Sequence, residues 1–195
     1  MRKFLLVLLI LSLTGCFQYT STIKLESDGS GDLLVELGVP ADEGNSITIE
    51  DIEDDLEECE GLYDISISVD TVDTTIIVRL AGSFDSPAVL VDLVEVDEIL
   101  GFDPDSFHFT QEANTDGEMF YWYKNYAASN DLDVDIEDAS FDPDYFIWEE
   151  RMVVPGTVIR HNADFQIADT LIWKRRTLDV INEGLIVEVV WKVSR

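Results

Sequence analysis

Ile23-Lys24-Leu25-Glu26-Ser27-Asp28-Gly29-Ser30-Gly31-Asp32-Leu33-Leu34-Val35-Glu36-Leu37 is the stretch on which the fold turns. Ile23 and Leu25 alternate with Lys24 and Glu26, and Leu33, Val35 and Leu37 resume the alternation with Glu36 pointing the other way. Period two puts the apolar set on one face of an extended chain. Between the runs, Asp28-Gly29-Ser30-Gly31 supplies residues that tolerate positive φ, so the stretch predicts a hairpin. The same logic works outward. Ile65, Ile67, Val69 and then Ile76, Val78, Leu80 alternate around Asp70 to Asp73, a second hairpin. Residues 107–111 and 119–126 flank Asn114-Thr115-Asp116-Gly117, whose Asp-Gly step favours a turn. Residues 145–154, 157–160, 170–175 and 185–193 are four more predicted strands, with Pro155-Gly156 at the corner between the first two.

Two segments break this period. Thr48 followed by Asp51 has the order of a capping box, and Ile49, Ile52 and Leu56 recur at helical spacing, which predicts an amphipathic helix over about residues 48–58 with an anionic outer face. Ser86 as N-cap and Pro87 at the first helical position open a second helix, which Gly101 ends. The expected fold is therefore α+β and mainly antiparallel: a curved sheet of hairpins with two helices packed on it, extended by the strands of the second half. Phe102-Asp103-Pro104-Asp105-Ser106-Phe107 recurs as Phe141-Asp142-Pro143-Asp144-Tyr145-Phe146, in each case ahead of a strand, as two equivalent turns would.

The N-terminus speaks to location. Arg2 and Lys3 precede an apolar run from Phe4 to Leu13, about half the roughly twenty residues needed to cross a bilayer, so the segment has the form of a secretory signal. Leu13-Thr14-Gly15-Cys16 then resembles the bacterial lipobox, with Leu13, Thr14 and Gly15 as the signal-peptidase recognition residues. That resemblance implies cleavage before Cys16, a thioether-linked diacylglycerol on its sulfur and a further acyl chain, such as palmitate, on its amine. Two or more chains anchor a protein stably. The expected organisation is a signal peptide over 1–15, a lipidated polar tether over 16–22 and a single domain over 23–195, moored on the extracytoplasmic side of the cell envelope. Phe17 does not fix which membrane, since it stands where many inner-membrane lipoproteins carry an aspartate.

The chain carries 41 Asp+Glu against 12 Lys+Arg, a formal net charge of −29, and the signal would remove Arg2 and Lys3 as well. With 46% apolar residues and clear strand periodicity it is no acidic disordered chain. Its charge belongs on the outside of a fold, which suits a saline habitat where repulsion is screened, or an acidic surface tolerated at ordinary salt. Nucleic acid is excluded as a partner for want of a basic face. If Cys16 takes lipid, Cys59 has no intramolecular partner; set between Glu58 and Glu60 it is a poor nucleophile and is expected to be a buried structural thiol.

Catalytic motifs are not evident: the sequence has no G-x-S-x-G, H-E-x-x-H, C-x-x-C or phosphate loop. His108, between Phe107 and Phe109, is expected to be a core or sheet histidine, and His161 has no identifiable nucleophile. Asp131, Asp133 and Asp135 have calcium-loop spacing, but Ile136 and Asp142 stand where an EF-hand needs Gly and Glu. They are expected to line one face of a strand. No catalytic residue, metal or cofactor is assigned.

Phe120-Tyr121-Trp122-Tyr123-Lys124-Asn125-Tyr126 is aromatic on both faces: Phe120, Trp122 and Tyr126 on one, Tyr121 and Tyr123 on the other. One face belongs to the core; the other is a second packed layer or an exposed platform for a sugar or acyl chain. Tyr121, Trp122, Tyr123 and Tyr126 are the candidate ligand-binding residues. Lys174, Arg175, Arg176, Lys192 and Arg195 gather half of the mature chain's basic residues. Lys174, Arg175 and Arg176 are candidate contacts for anionic headgroups, the alternative being that they balance the acidic surface.

A lipobox cysteine followed by a strand with Ser27-Asp28-Gly29-Ser30-Gly31, and a late Pro155-Gly156-Thr157-Val158 corner leading through Asn162 to Trp173, together resemble the LppM-domain family of bacterial lipoproteins. The motifs span roughly residues 13–40 and 150–195. The resemblance implies an α+β domain with a curved sheet and helices and, through a mycobacterial relative, binding of envelope glycolipids; it supplies no catalytic residue. The expected function is a non-enzymatic envelope lipoprotein holding an amphipathic or acylated ligand in a groove between sheet and helix. A structural lipoprotein whose acidic face engages an envelope protein partner is the alternative, and a hydrolase using His161 with a nearby carboxylate is a third.

Overall fold

The computed structural model describes residues 18–40, 61–72, 75–90, 107–115, 117–126, 147–176, 179–180 and 183–194. Eleven strands form among these residues: β1 (Gln18–Leu25), β2 (Gly31–Pro40), β3 (Leu62–Val72), β4 (Thr75–Phe84), β5 (Phe107–Asn114), β6 (Gly117–Tyr126), β7 (Ile147–Val153), β8 (Thr157–His161), β9 (Phe165–Ile167), β10 (Thr170–Arg176) and β11 (Leu185–Ser194). They make a seven-stranded sheet A, in the order β3-β4-β2-β1-β7-β10-β9, and a four-stranded sheet B, in the order β5-β6-β11-β8. All pairings are antiparallel except β1 with β7, which run parallel from Gln18↔Ile147 to Lys24↔Val153.

The opening hairpin forms as its sequence predicts. Ile23 pairs with Leu33 and Leu25 with Gly31, and the reversal is held by the Glu26 N–H donating to Ser30 O at 2.8 Å, with Gly29 at φ +92°. The Asp28 carboxylate accepts from both the backbone N–H and the hydroxyl of Ser30, an Asx-type closure. Glycine is required at 31 because a Cβ there would lie 2.3 Å from Lys24 O and 2.7 Å from the Phe84 ring. β1 begins at Gln18, within the stretch expected to be tether. In the second hairpin Asp64 adopts φ +52° and the register shifts between Tyr63 and Ser66, leaving Ile65 at the surface.

The α+β expectation is overturned. The described residues build two β-sheets, and no helix packed on either is among them. The strands of the second half do not all extend one sheet: β7, β10 and β9 join sheet A, while β5, β6, β11 and β8 form a separate layer. The physical reason is that β6 and β11 carry their own apolar faces. Phe120, Trp122, Tyr126, Val187, Val189 and Trp191 are buried in one cluster with Tyr19, Ile23, Met152, Leu171 and Trp173 of sheet A, so sheet covers sheet. The helix expected over 48–58 lies outside the described residues. At the second expected helix the Ser86 hydroxyl does accept from the Ala88 N–H, and turns follow at Val89 and Leu90; the remainder lies outside the described residues.

Sheet B lies over β1, β7 and β10, as the Tyr126–Trp148 ring contact and the Asn162–Trp173 hydrogen bond show. Seven strands span about 30 Å and four about 15 Å, so sheet B cannot cover all of sheet A. The apolar inner face of β2, β4 and β3 is buried at Leu33, Leu62, Val78 and Phe84, but only partly buried at Val35, Leu37, Ile67, Ile76 and Leu80, and Val69 is exposed.

Candidate functional site

Strand β6 separates the four candidate ligand-binding residues by face. Trp122 and Tyr126, each 1% exposed, are core. Trp122 packs edge-on against Phe107 at 4.5 Å between ring centroids, and Tyr126 edge-on against Trp148 at 5.0 Å. The Tyr126 hydroxyl donates across the sandwich to the carboxylate of Glu150, itself buried. Tyr121 and Tyr123 lie on the outer face, half-buried, with rings 6.5 Å apart and 20° from parallel. His108 of β5 stands opposite Tyr123 and stacks on it at 6.0 Å and 24°. The histidine expected in core or sheet is thus on the sheet but exposed. Beside Tyr121 run Glu188 and Arg160, which pair with each other. Partial burial and then the charge of Glu188 raise the Tyr121 phenol above its ordinary pKa, so it is neutral at physiological pH.

Where the chain passes from sheet B back to sheet A, Asn162 holds the corner. Its side chain donates to Ile186 O at 2.9 Å and accepts from the Glu188 N–H at 2.8 Å and from Trp173 Nε1 at 2.7 Å. The two residues that ended the family-like motif are therefore direct partners, and the buried Trp173 indole gains an acceptor that Trp122 and Trp191 lack among the described residues. His161 is half-buried and its Nδ1 accepts from the Ala163 N–H, a local turn contact.

The basic residues of β10 each meet a carboxylate. Lys174 pairs with Glu149 at 2.8 Å, Arg175 with Asp164, and Arg176 makes two 2.8 Å hydrogen bonds to Asp179. Burial pushes the Glu149 carboxyl up, but hydrogen bonds and charge from Lys174 and Arg151 outweigh it, and its pKa falls below the usual range. A depressed folded-state value stabilises the fold above the ordinary carboxylate range, and that contribution drains as pH falls through the folded value. Glu149→Gln is therefore expected to lower the urea midpoint at neutral pH and to approach the parent at acid pH, once the folded-state value is passed. Equal differences at both pH values would show that the pairing does not matter.

Register places this basic row at the end of sheet A where β1 begins. Arg176 pairs with Ile147, and Ile147 with Gln18, two residues from Cys16. Leu13, Thr14, Gly15, Cys16 and Cys59 lie outside the described residues, as do Asp131, Asp133 and Asp135. Among the described residues no group of three or more His, Cys, Asp or Glu is placed to hold a metal ion.

No protein-family model matches the chain, and no curated protein matches it. Among solved structures it is similar to the NMR structure of the folded domain of LppM from Mycobacterium tuberculosis, with a TM-score of 0.55 and 12% sequence identity over 93% of each chain. At that identity the likeness is one of fold.

Proposed function

We propose that this chain is a non-enzymatic lipoprotein of the cell envelope, moored by acyl chains on Cys16, which holds an amphipathic lipid or glycolipid against the partly exposed wing of sheet A. The observation that carries the reading is the position of that wing. Gln18 is two Cα steps from Cys16, about 7 Å at full extension, so the end of the sheet at Gln18 would rest close to the bilayer. Leu37 lies opposite Tyr19 at that same end, and Ile76 and Val69, with the buried Val78 between them, continue the inner face across β4 and β3. An apolar surface that sheet B leaves partly bare would thus begin beside the anchor, where an acyl chain could pass from membrane to sheet without crossing water. Lys174, Arg175 and Arg176 stand at that end too, within reach of anionic headgroups that could replace their carboxylate partners. The fold shared with the LppM domain is consistent with this reading.

Native mass spectrometry of the chain extracted from its own membrane tests the proposal. The expected result is a diacylglyceryl-modified Cys16 together with a non-covalent apolar adduct that weakens in Leu37→Asp and Val69→Asp. An unmodified residue 16 would remove the mooring, and an adduct-free chain, or an adduct indifferent to both substitutions, would remove the ligand.

A further inference from the structure

On the side of sheet B that faces away from the core, β5, β6, β11 and β8 present Thr110, His108, Tyr121, Tyr123, Asn125, Val190 and the Arg160–Glu188 pair. Three rings, those of Tyr121 and Tyr123 along β6 and of His108 across from Tyr123, lie nearly parallel with centroids 6.5 and 6.0 Å apart. Neither phenol hydroxyl has a hydrogen-bond partner among the described residues, so the group combines flat apolar surface with unused donors and acceptors at its rim.

Charge also characterises this face. Among the described residues its ionised side chains are Glu112 and Glu188 against Arg160 and Lys192, placed by register opposite or beside the rings. That is a balanced set in a chain of net charge −29. In so acidic a chain, a surface whose sole task were solubility would be expected to be acidic. A balanced aromatic surface suits a partner that is itself uncharged, flat on one side and hydroxylated at its edges.

We infer that the outer face of sheet B is a binding platform for a neutral pyranose glycan, whose sugar rings lie on Tyr121, Tyr123 and His108 while their hydroxyls bond the phenols, Asn125 and the Arg160–Glu188 pair. C–H groups on one face of a pyranose meet the negative face of an aromatic ring, and the edge hydroxyls keep hydrogen bonds that a purely apolar surface would deny them. An anionic glycan is disfavoured because the whole-protein field repels it. The site lies on the opposite side of sheet B from the core and does not depend on lipid held at sheet A.

The mature, lipidated chain in phosphatidylcholine vesicles is titrated with maltohexaose, cellohexaose and mannohexaose, with polygalacturonate as the charged counterpart, following tyrosine fluorescence. At least one neutral hexasaccharide is expected to bind saturably, at least tenfold more tightly than polygalacturonate at low salt. Tyr121→Ala/Tyr123→Ala should lose at least tenfold in affinity, whereas Tyr121→Phe/Tyr123→Phe, which keeps the rings, should lose only a few fold. A second arm offers the same sugars as headgroups of a glycolipid in the vesicles: ring-dependent binding there alone assigns a lipid-linked glycan, and binding in both arms a free one. No saturable binding in either arm, or binding that survives removal of both rings, overturns the inference. Unchanged adduct mass in the alanine variant keeps this result separate from the lipid reading of sheet A.

Discussion

Trp148→Ala is expected to destabilise the chain by about 3–5 kcal/mol, a fall of roughly 6–20 °C in Tm for a domain of this size. Trp148 is 2% exposed on β7, where the parallel ladder joins the two halves of sheet A. Its ring lies 4.2 Å from Tyr19 on the neighbouring β1 and meets Tyr126 of the opposing sheet edge-on. Removing it opens a cavity at a point where β7, its parallel partner β1 and sheet B all touch. It also withdraws packing from Tyr126, whose hydroxyl serves the buried Glu150. Tyr121→Ala, on the other face of β6, removes a ring that closes no layer and should shift the midpoint far less. Thermal melts of the two variants with Trp148→Phe as the conservative case decide the matter. A Trp148→Ala midpoint within a degree or two of the Tyr121→Ala value would mean that the sandwich is not closed through this residue.

The contrast between those two variants shows what is legible along the chain and what is not. Each hairpin can be read because its information is local: alternation at Ile23, Leu25, Leu33 and Val35 with Asp28-Gly29 between, or Asn114 to Gly117 between two aromatic runs. The two-faced character of β6 is legible for the same reason, and the structure assigns Phe120, Trp122 and Tyr126 to the core as period two requires. What no local signal encodes is the pairing of β1 with β7, which brings Gln18 beside Ile147 across most of the sequence. Without that pairing the late strands look like a continuation of one sheet, and helices are then needed to cover it. Once β7 and β10 are drawn into sheet A, β6 and β11 are free to become the cover. Phe107 and Phe109 suggest a core position for His108, although alternation alone turns a residue between two inward rings outward. The three-residue β9 is too short to register as periodic.

Raising sodium chloride from low millimolar to molar concentration is expected to stabilise the chain by on the order of a few kcal/mol, against the small effect typical of a near-neutral domain. With 41 acidic and 12 basic residues, most carboxylates have no basic residue to pair with even if every cation were used once. Salt also weakens attraction, as in the exposed Arg160–Glu188 and Lys24–Glu26 pairs, but such pairs contribute little and are outnumbered by repulsive ones. The best-built ion cluster, Glu149 with Lys174 and Arg151, is shielded by its own burial, so screening should leave it largely intact while it relieves the surface. Coulomb screening can be told apart from general salting-out. Replacing the exposed Glu112 and Glu183 by glutamine should raise the midpoint in low salt and flatten the salt slope, whereas salting-out would leave the slope unchanged. A parent midpoint that does not move between low and molar chloride would mean that the acidic surface is tolerated without cost, and the saline-habitat reading of the composition would fall with it.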